Sequence, residues 1–304
     1  MVYTFVGPLC GNGNEDYVFT KDGFNFYGNS YTADINIKKF FEGFDEDMQV
    51  AVWVFDKYSN NSVKTITRRL YGRVKDGNGD PITDIHPMEA FLMYRNSTGS
   101  GTVTIDYSSA IWGNPKYGLV PASAPAVRTS RDEDYLTIQV SAAGVSDAVV
   151  LVRSAECTAA MDNGEDVQKF MFESGVAIYA TIGEEKLGVL ASDDLSNTFL
   201  SFRAGDAEEY TLSFVDIEGE GYTLRDVMTG EVVNIVNGVT YTFTQPANTT
   251  IAQRFEVLKA PNAATAVEQM RNDAMPTWQK VMRNGTLYIT RDGQWFDVTG
   301  GRVN

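Results

Sequence analysis

Apolar and polar residues alternate in short runs along most of this chain, and sustained helical periodicity is missing. In the first part, Asp16 to Thr20, Gly23 to Tyr27, Ala90 to Tyr94 and Gly101 to Tyr107 follow this pattern, with Gly, Asn or Asp between the runs. Such runs predict short strands with one buried face. Val50-Ala51-Val52-Trp53-Val54-Phe55 differs, because every residue is apolar. That predicts a strand covered on both faces. Ile37 to Phe44 is expected to make one or two helical turns.

A break follows at Leu119 to Val127, which is small and proline-bearing, and Arg128 to Asp134 is charged. This stretch buries little and predicts an interdomain linker with hinge freedom. Alternation resumes in Leu136-Thr137-Ile138-Gln139-Val140 and returns in Tyr210 to Phe214, Val239 to Thr244 and Arg254 to Leu258. Ala260-Pro261-Asn262 marks a second boundary, and Pro276 stops any helix begun in Ala263 to Met275. Two last apolar runs flank Asp292-Gly293, a strong hairpin signal. The expected fold is all-β: two antiparallel β-sandwich domains in tandem, Ig-like or jelly-roll-like, then a short C-terminal β-hairpin. The first sandwich is assigned to residues 1–118, the linker to 119–131, the second sandwich to 132–259, and a further linker with the hairpin to 260–304.

Composition narrows the function more than the fold. The chain has 304 residues, a hydrophobic fraction of 43% and a formal charge of −15. That charge opposes nucleic-acid binding, which needs clustered Lys and Arg, and equally opposes docking on an anionic membrane. No apolar run is long enough to cross a bilayer, so no membrane insertion is expected. Met1-Val2-Tyr3-Thr4-Phe5 has neither the basic start nor the apolar core of a signal peptide. Cys10 and Cys157 fall in different predicted domains, so two separate thiols are expected rather than a bridge.

The tail carries a resemblance. Thr286 to Asn304 reads T-L-Y-I-T-R-D-G-Q-W-F-D-V-T-G-G-R-V-N. It resembles the C-terminal sorting tail of proteins exported by the type IX secretion system of the Bacteroidota, of the kind N-G-x-L-Y-I-x-R-x-G-x-x-Y-D-x-x-G-x-x-V. The second region resembles the sandwich that precedes such tails. Cys157 to Lys169 resembles A-T-x-x-F-D-x-G-x-D-A-x-K, and Ile178-Tyr179 with Glu185-Lys186-Leu187 resembles I-Y-x…x-E-K-L. Glu209 to Phe214 matches x-Y-T-L-x-F. Leu224-Arg225-Asp226, Thr229-Gly230, Tyr241-Thr242-Phe243 and Arg254-Phe255 match L-x-D…T-G…Y-x-F…R-F. In the first region, Phe24 to Tyr31 is similar to F-x-x-x-G-N-P-Y, with Ser30 in place of proline, and Ile85 to Phe91 is similar to I-x-P-x-x-A/G-F. The resemblance implies a secreted or cell-surface protein, attached to the outer membrane and handled by its export machinery. It implies that Leu287, Tyr288, Ile289, Phe296, Gly300 and Val303 form the recognised face of the tail.

Candidate chemistry is sparse. Asp76-Gly77-Asn78-Gly79-Asp80-Pro81-Ile82-Thr83-Asp84 offers oxygen ligands at alternate positions, so Asp76, Asn78, Asp80 and Asp84 are candidate Ca²⁺ ligands. The same residues are ordinary hairpin-tip chemistry, and Pro81 and Pro87 stand where an EF-type loop needs Gly and Glu. Asp162, Gly164, Glu165 and Asp166 form a second acidic loop, read as a turn. His86 is the only histidine, so histidine-based catalysis or metal binding would hang on one ring. Among the tryptophans, Trp53 sits in an apolar strand and reads as core, whereas Trp112, before Gly113-Asn114-Pro115, is the candidate for stacking on a sugar. No complete catalytic constellation is present, and no cofactor is expected beyond the candidate Ca²⁺. The expected function is therefore a non-catalytic surface module of stalk or adhesin type. The alternative is a carbohydrate-binding accessory module of a larger secreted protein. Possible partners are glycans or surface proteins as well as the export machinery.

Overall fold

The computed structural model describes residues 13–19, 21–56, 63–96, 101–105, 133–259, 279–283, 286–291, 294–297 and 301–303. Residues Met1–Lys259 form one compact unit and Ala260–Asn304 a second. The chain is all-β, with one short helix among the described residues. The linker at 119–131 lies outside the described residues, as do Cys10 and Trp112.

The first region contains β1 (Glu15–Phe19), β2 (Gly23–Gly28), β3 (Ile35–Asn36), β4 (Ala51–Phe55), β5 (Val63–Thr67), β6 (Asp84–Ile85), β7 (Ala90–Arg95) and β8 (Gly101–Ile105). Four of these make a sheet in the order β2-β7-β4-β5, and β1 pairs with β8 and β3 with β6. All of these pairings are antiparallel. The expected helical segment is α1 (Ile37–Phe40), continued by a 3-10 turn over Phe41–Gly43. Asn36 starts it, because its side-chain oxygen accepts the backbone N–H of Lys39 at 3.1 Å. Phe19, Tyr31, Ile35, Phe40 and Phe91 fill the core between these pieces. Tyr17 and Phe40 meet Phe91 edge to face at 5.4 and 5.6 Å.

The second region contains β9 (Asp134–Ala142), β10 (Val145–Arg153), β11 (Val167–Gln168), β12 (Ala177–Ile182), β13 (Glu185–Ser192), β14 (Thr198–Arg203), β15 (Glu209–Glu218), β16 (Tyr222–Asp226), β17 (Val232–Asn234), β18 (Thr240–Thr244) and β19 (Thr250–Lys259). They form one sheet in the order β17-β16-β19-β14-β12-β13-β10-β9-β15-β18, with β11 paired to β13. Two features differ from the sequence expectation. First, β10 and β13 pair in parallel, Val150 opposite Val189, so the region is not wholly antiparallel. Strand β13 changes partner along its length: Glu185 to Leu187 pair with β12, and Val189 to Ser192 pair with β10. Second, the sheet is barrel-like and nearly closed rather than clearly a sandwich. The segment after β17 ties its ends, since Ile235 N–H donates to Tyr222 O at 3.0 Å and Gly238 N–H to Phe214 O at 3.1 Å. Closure removes long exposed strand edges. Ile138, Leu151, Leu200, Phe202, Phe214 and Phe255 lie in its core.

A third apolar cluster joins the two regions, and β4 explains it. Val52 and Val54 face the core of the first region. Ala51 and Trp53, alternate residues on the same strand, face Val152, Val167, Val189 and Ala191 of the second. From Ala51 to Val54 the run is thus covered on both faces, as expected from its sequence. Trp53 is fully buried, and its indole N–H donates to the backbone oxygen of Gln168 at 3.2 Å. Gln168 N–H in turn donates to Gln49 Oε1 at 3.0 Å. Charged side chains surround this contact. Arg69 pairs with Glu133 and Glu165, and the Arg73 guanidinium lies 3.7 Å from the centre of the Tyr135 ring and 2.8 Å from Glu218. Those contacts oppose the hinge freedom expected from the composition of the connecting stretch. Cys157 is a buried free thiol in the same cluster.

The second unit contains β20 (Gln279–Arg283), β21 (Thr286–Arg291), β22 (Gln294–Asp297) and β23 (Arg302–Val303), paired antiparallel in that order. Arg291 stands opposite Gln294, the register of a two-residue connection at 292–293. The expected hairpin is therefore the inner pair of a four-stranded sheet.

Two stability measurements follow. Trp53→Ala should cost about 3–5 kcal/mol, the range for truncating a buried aromatic. Probes in residues 13–105 and 133–259 should still lose structure together, because they share one apolar cluster; separate denaturation midpoints would contradict this. Met88, exposed, sits at φ 62 between Pro87 and Glu89, in the left-handed region that favours glycine. Met88→Gly should raise stability by about 1 kcal/mol in chemical denaturation.

Candidate functional site

The candidate calcium loop is a hairpin tip. Asp76 Oδ1 accepts the N–H groups of Asn78 and Asp80 at 2.9 and 3.0 Å, and Asp76 N–H donates to Asp80 O at 2.9 Å. Gly79 supplies the positive φ, at 92°, that the tip needs. Asp84, on β6, accepts from Asn36 Nδ2 at 3.1 Å and from Thr83 Oγ1 at 2.6 Å. Among the described residues, no three His, Cys, Asp or Glu side chains stand close enough to hold a metal ion. Instead Asp76, Asp80 and Asp84 border an open cleft of about 300 Å³, and Asn78 does not line it. Glu89 adds a further carboxylate and Phe55 and Ile82 supply apolar wall, while the Asp56 carboxylate and the Val54 side chain are buried behind the lining. Lys64 Nζ lies 3.8 Å from Asp56 Oδ2. No described hydrogen bond or ion pair engages the Asp80 carboxylate. The arrangement can therefore accept hydrogen bonds and positive charge.

His86 also borders the cleft. Its Nδ1 lies 2.9 Å from Asp34 Oδ1, in an exposed pair, and its backbone N–H donates to Glu89 Oε2 at 2.8 Å. Sequence spacing gave no sign of Asp34, which stands 52 residues away. Asp56 and Glu89 were missed for the same reason, since neither belongs to the Asp-Gly-Asn-Gly-Asp run.

Several motif residues of the second region fall in two internal networks. In the first, Asp226 and Arg254 form a buried ion pair at 3.1 Å. Tyr241 donates its hydroxyl proton to Asp226 Oδ2 at 3.0 Å, and Arg254 Nη1 donates to Gln245 Oε1 at 2.6 Å. The Arg254 guanidinium lies 4.2 Å over the Phe243 ring. Thus β16, β18 and β19 are locked together at the point where the sheet nearly closes. Tyr210, at the start of β15, donates its hydroxyl to backbone oxygens of Gly205 and Ala207. The second network is the Asp162–Asp166 turn. Asp166 is buried and accepts N–H groups from Asp162 and Ala191, each at 2.8 Å. Lys169, three residues on, pairs with Asp147 at 2.6 Å. Asp166 thus holds backbone N–H groups, and Asp226 and Asp147 hold cations.

The tail residues divide by register. Opposed positions in an antiparallel sheet share a face and alternate positions do not. Ile289 stands opposite Phe296, in line with Leu287 two residues earlier. Val303 stands opposite Trp295, which is opposite Thr290, and Tyr288 stands opposite Asp297. Gly300 and the candidate sugar-stacking Trp112 lie outside the described residues.

Both networks are testable by stability. Asp226→Ala should destabilise by about 3–5 kcal/mol, the cost of leaving one buried charge alone, whereas Asp226→Leu with Arg254→Met should recover much of it. Burial pushes the Asp166 carboxyl up to about 6, against the pull of its two N–H donors. A raised native value means the proton is held more tightly when folded. Its contribution is present below the unfolded value and is lost as pH rises through about 6. The stability of the unmodified chain relative to Asp166→Asn should therefore fall between about pH 4 and 6.5, read from denaturation midpoints.

Set beside protein-family models, curated proteins and solved structures, the chain has no match in any of the three.

Proposed function

We propose that this chain is a non-catalytic module of an exported surface protein, of stalk or adhesin type. In this reading it comprises tandem sandwich-type β-domains ending in a type IX sorting-like tail. The second domain would be a sandwich-type fold made by one sheet that nearly closes on itself. One observation carries the proposal. Five of the residues through which the second region resembles the exported family — Asp226, Thr229, Tyr241, Phe243 and Arg254 — form one connected network. Residues scattered by chance over this span would have no reason to meet. A tyrosine bonded back to its own approach loop, as Tyr210 is, also occurs in sandwich folds. The tail adds a small separate unit whose β21–β22 pair carries the Leu287-Tyr288-Ile289 segment.

The non-catalytic reading rests on how the polar groups are used. Carboxylates in both internal networks are spent on backbone N–H groups and on buried cations, and the histidine is an exposed partner of one aspartate. The proposed place of action is the cell surface or the medium, with the outer-membrane export machinery as the partner of the tail.

Export tests this reading. A periplasm-targeted reporter would carry residues 1–304 or 1–261 in a Bacteroidota host competent for type IX export. The first region is kept because Trp53 and Ala51 cover part of the second. Surface or medium delivery of the longer fusion alone is the expected result. Periplasmic retention of both would remove the sorting role.

A further inference from the structure

The face of β2-β7-β4-β5 that receives Trp53 is only partly covered. Ala51, Trp53 and Leu92 are buried beneath the second region. Beyond them the same face continues as Phe26 on β2 and Phe55 on β4, whose rings stand 5.7 Å apart. Phe55 is followed by Phe170 at 6.3 Å, and Phe170 by Phe172 at 5.2 Å. Four phenylalanines thus make one continuous row across the seam between the two regions. Both ends are open: Phe26 is 63% exposed and Phe172 37%. Isolated exposed apolar residues are commonplace, but a contiguous aromatic row costs solubility unless something uses it.

The row has a charged border. Phe55 is also part of the wall of the acidic cleft, beside Asp76, Asp80, Asp84 and Glu89. At the other margin, Phe24 packs 5.1 Å from Phe170 and 4.8 Å from Tyr94. Burial pushes the Tyr94 hydroxyl up, and the Glu185 and Asp22 carboxylates push it further, so negative charge flanks this side as well. An apolar strip between carboxylates selects a partner that alternates apolar and cationic groups. Lys and Arg suit the cleft, since an apolar stem meets Phe55 and Ile82 while the head reaches the carboxylates. The Arg head also attracts phenyl faces. A neutral glycan fits less well, because its hydroxyls require donors as well as acceptors and carboxylates only accept.

We propose that the Phe26–Phe55–Phe170–Phe172 row and the adjoining acidic cleft form one docking surface for a basic polypeptide segment. Its Lys or Arg side chains enter the cleft, and its intervening apolar residues lie on the row. The net charge of −15 draws such a segment in from a distance. This surface would give the proposed surface module a partner class. It needs neither export nor the tail, so its test and the export assay fail separately.

Binding by the purified full chain is measured by fluorescence anisotropy with three labelled peptides of equal length, alternating Lys/Leu, Lys/Ser and Glu/Leu. The Lys/Leu peptide should bind best, and less tightly in about 300 mM than in about 50 mM salt, where screening is weaker. Phe26→Ser and Asp80→Asn should each weaken it about tenfold. Both positions are exposed, so folding should survive, and circular dichroism checks it. Val236→Ser, an exposed apolar residue outside this surface, should change nothing. Equal binding of Lys/Ser and Lys/Leu would reduce the effect to net charge and overturn the proposal. So would an unaltered affinity in Phe26→Ser or Asp80→Asn, or no binding of any peptide.

Discussion

The burial of Trp53 is the contact on which the unit Met1–Lys259 depends. One strand, β4, supplies side chains to two cores at once, Val52 and Val54 to one and Ala51 and Trp53 to the other. Neither region can complete its packing alone. Without the second region, Trp53, Ala51 and Leu92 would face water; without the first, Val167, Val189 and Ala191 would. The hydrogen bond from the indole to Gln168 O then fixes the register of the contact, since apolar area alone has no direction. Arg69 and Arg73 extend the same seam with charge, which adds orientation more than strength where it remains partly wet.

Much of this was legible along the chain. The run Val50 to Phe55 reads as a strand with two dry faces, and Ala51 to Val54 form that part of the strand. Asp76 to Asp80 reads as a tight tip because Asp and Gly accept its geometry, and the carboxylate caps it. What the pattern could not supply was the partner. Gln168 lies 115 residues from Trp53, and alternation marks a buried face without saying what buries it. The parallel pairing of β10 with β13 was hidden for a related reason, since a hydrophobic run looks the same in either direction. Strand β20, Gln-Lys-Val-Met-Arg, is short and largely polar, so only its pairing identifies it.

The candidate site was legible only in part. Three of the four residues proposed as calcium ligands do share a cleft. Their arrangement is a rim with apolar wall between, a form better matched to a long amphipathic cation than to a point charge. The phenylalanine row was invisible because phenylalanine in alternation means core in nearly every strand. Its exposure follows from the limited footprint of the second region on the first, a tertiary fact with no local signature. The networks about Asp226 and Asp166 belong to the same class. Their carboxylates look like candidate chemistry in a list of acids, and the fold spends them on holding strands together.

The long span across the seam also sets a schedule. On a ribosome, β4 is made well before Val167, Val189 and Ala191. At typical elongation rates the Trp53 face stays uncovered for on the order of ten seconds. During that interval the nascent chain exposes an aromatic sheet surface with no internal cover. A mutation that slows synthesis of the second half lengthens that exposure without touching the finished structure.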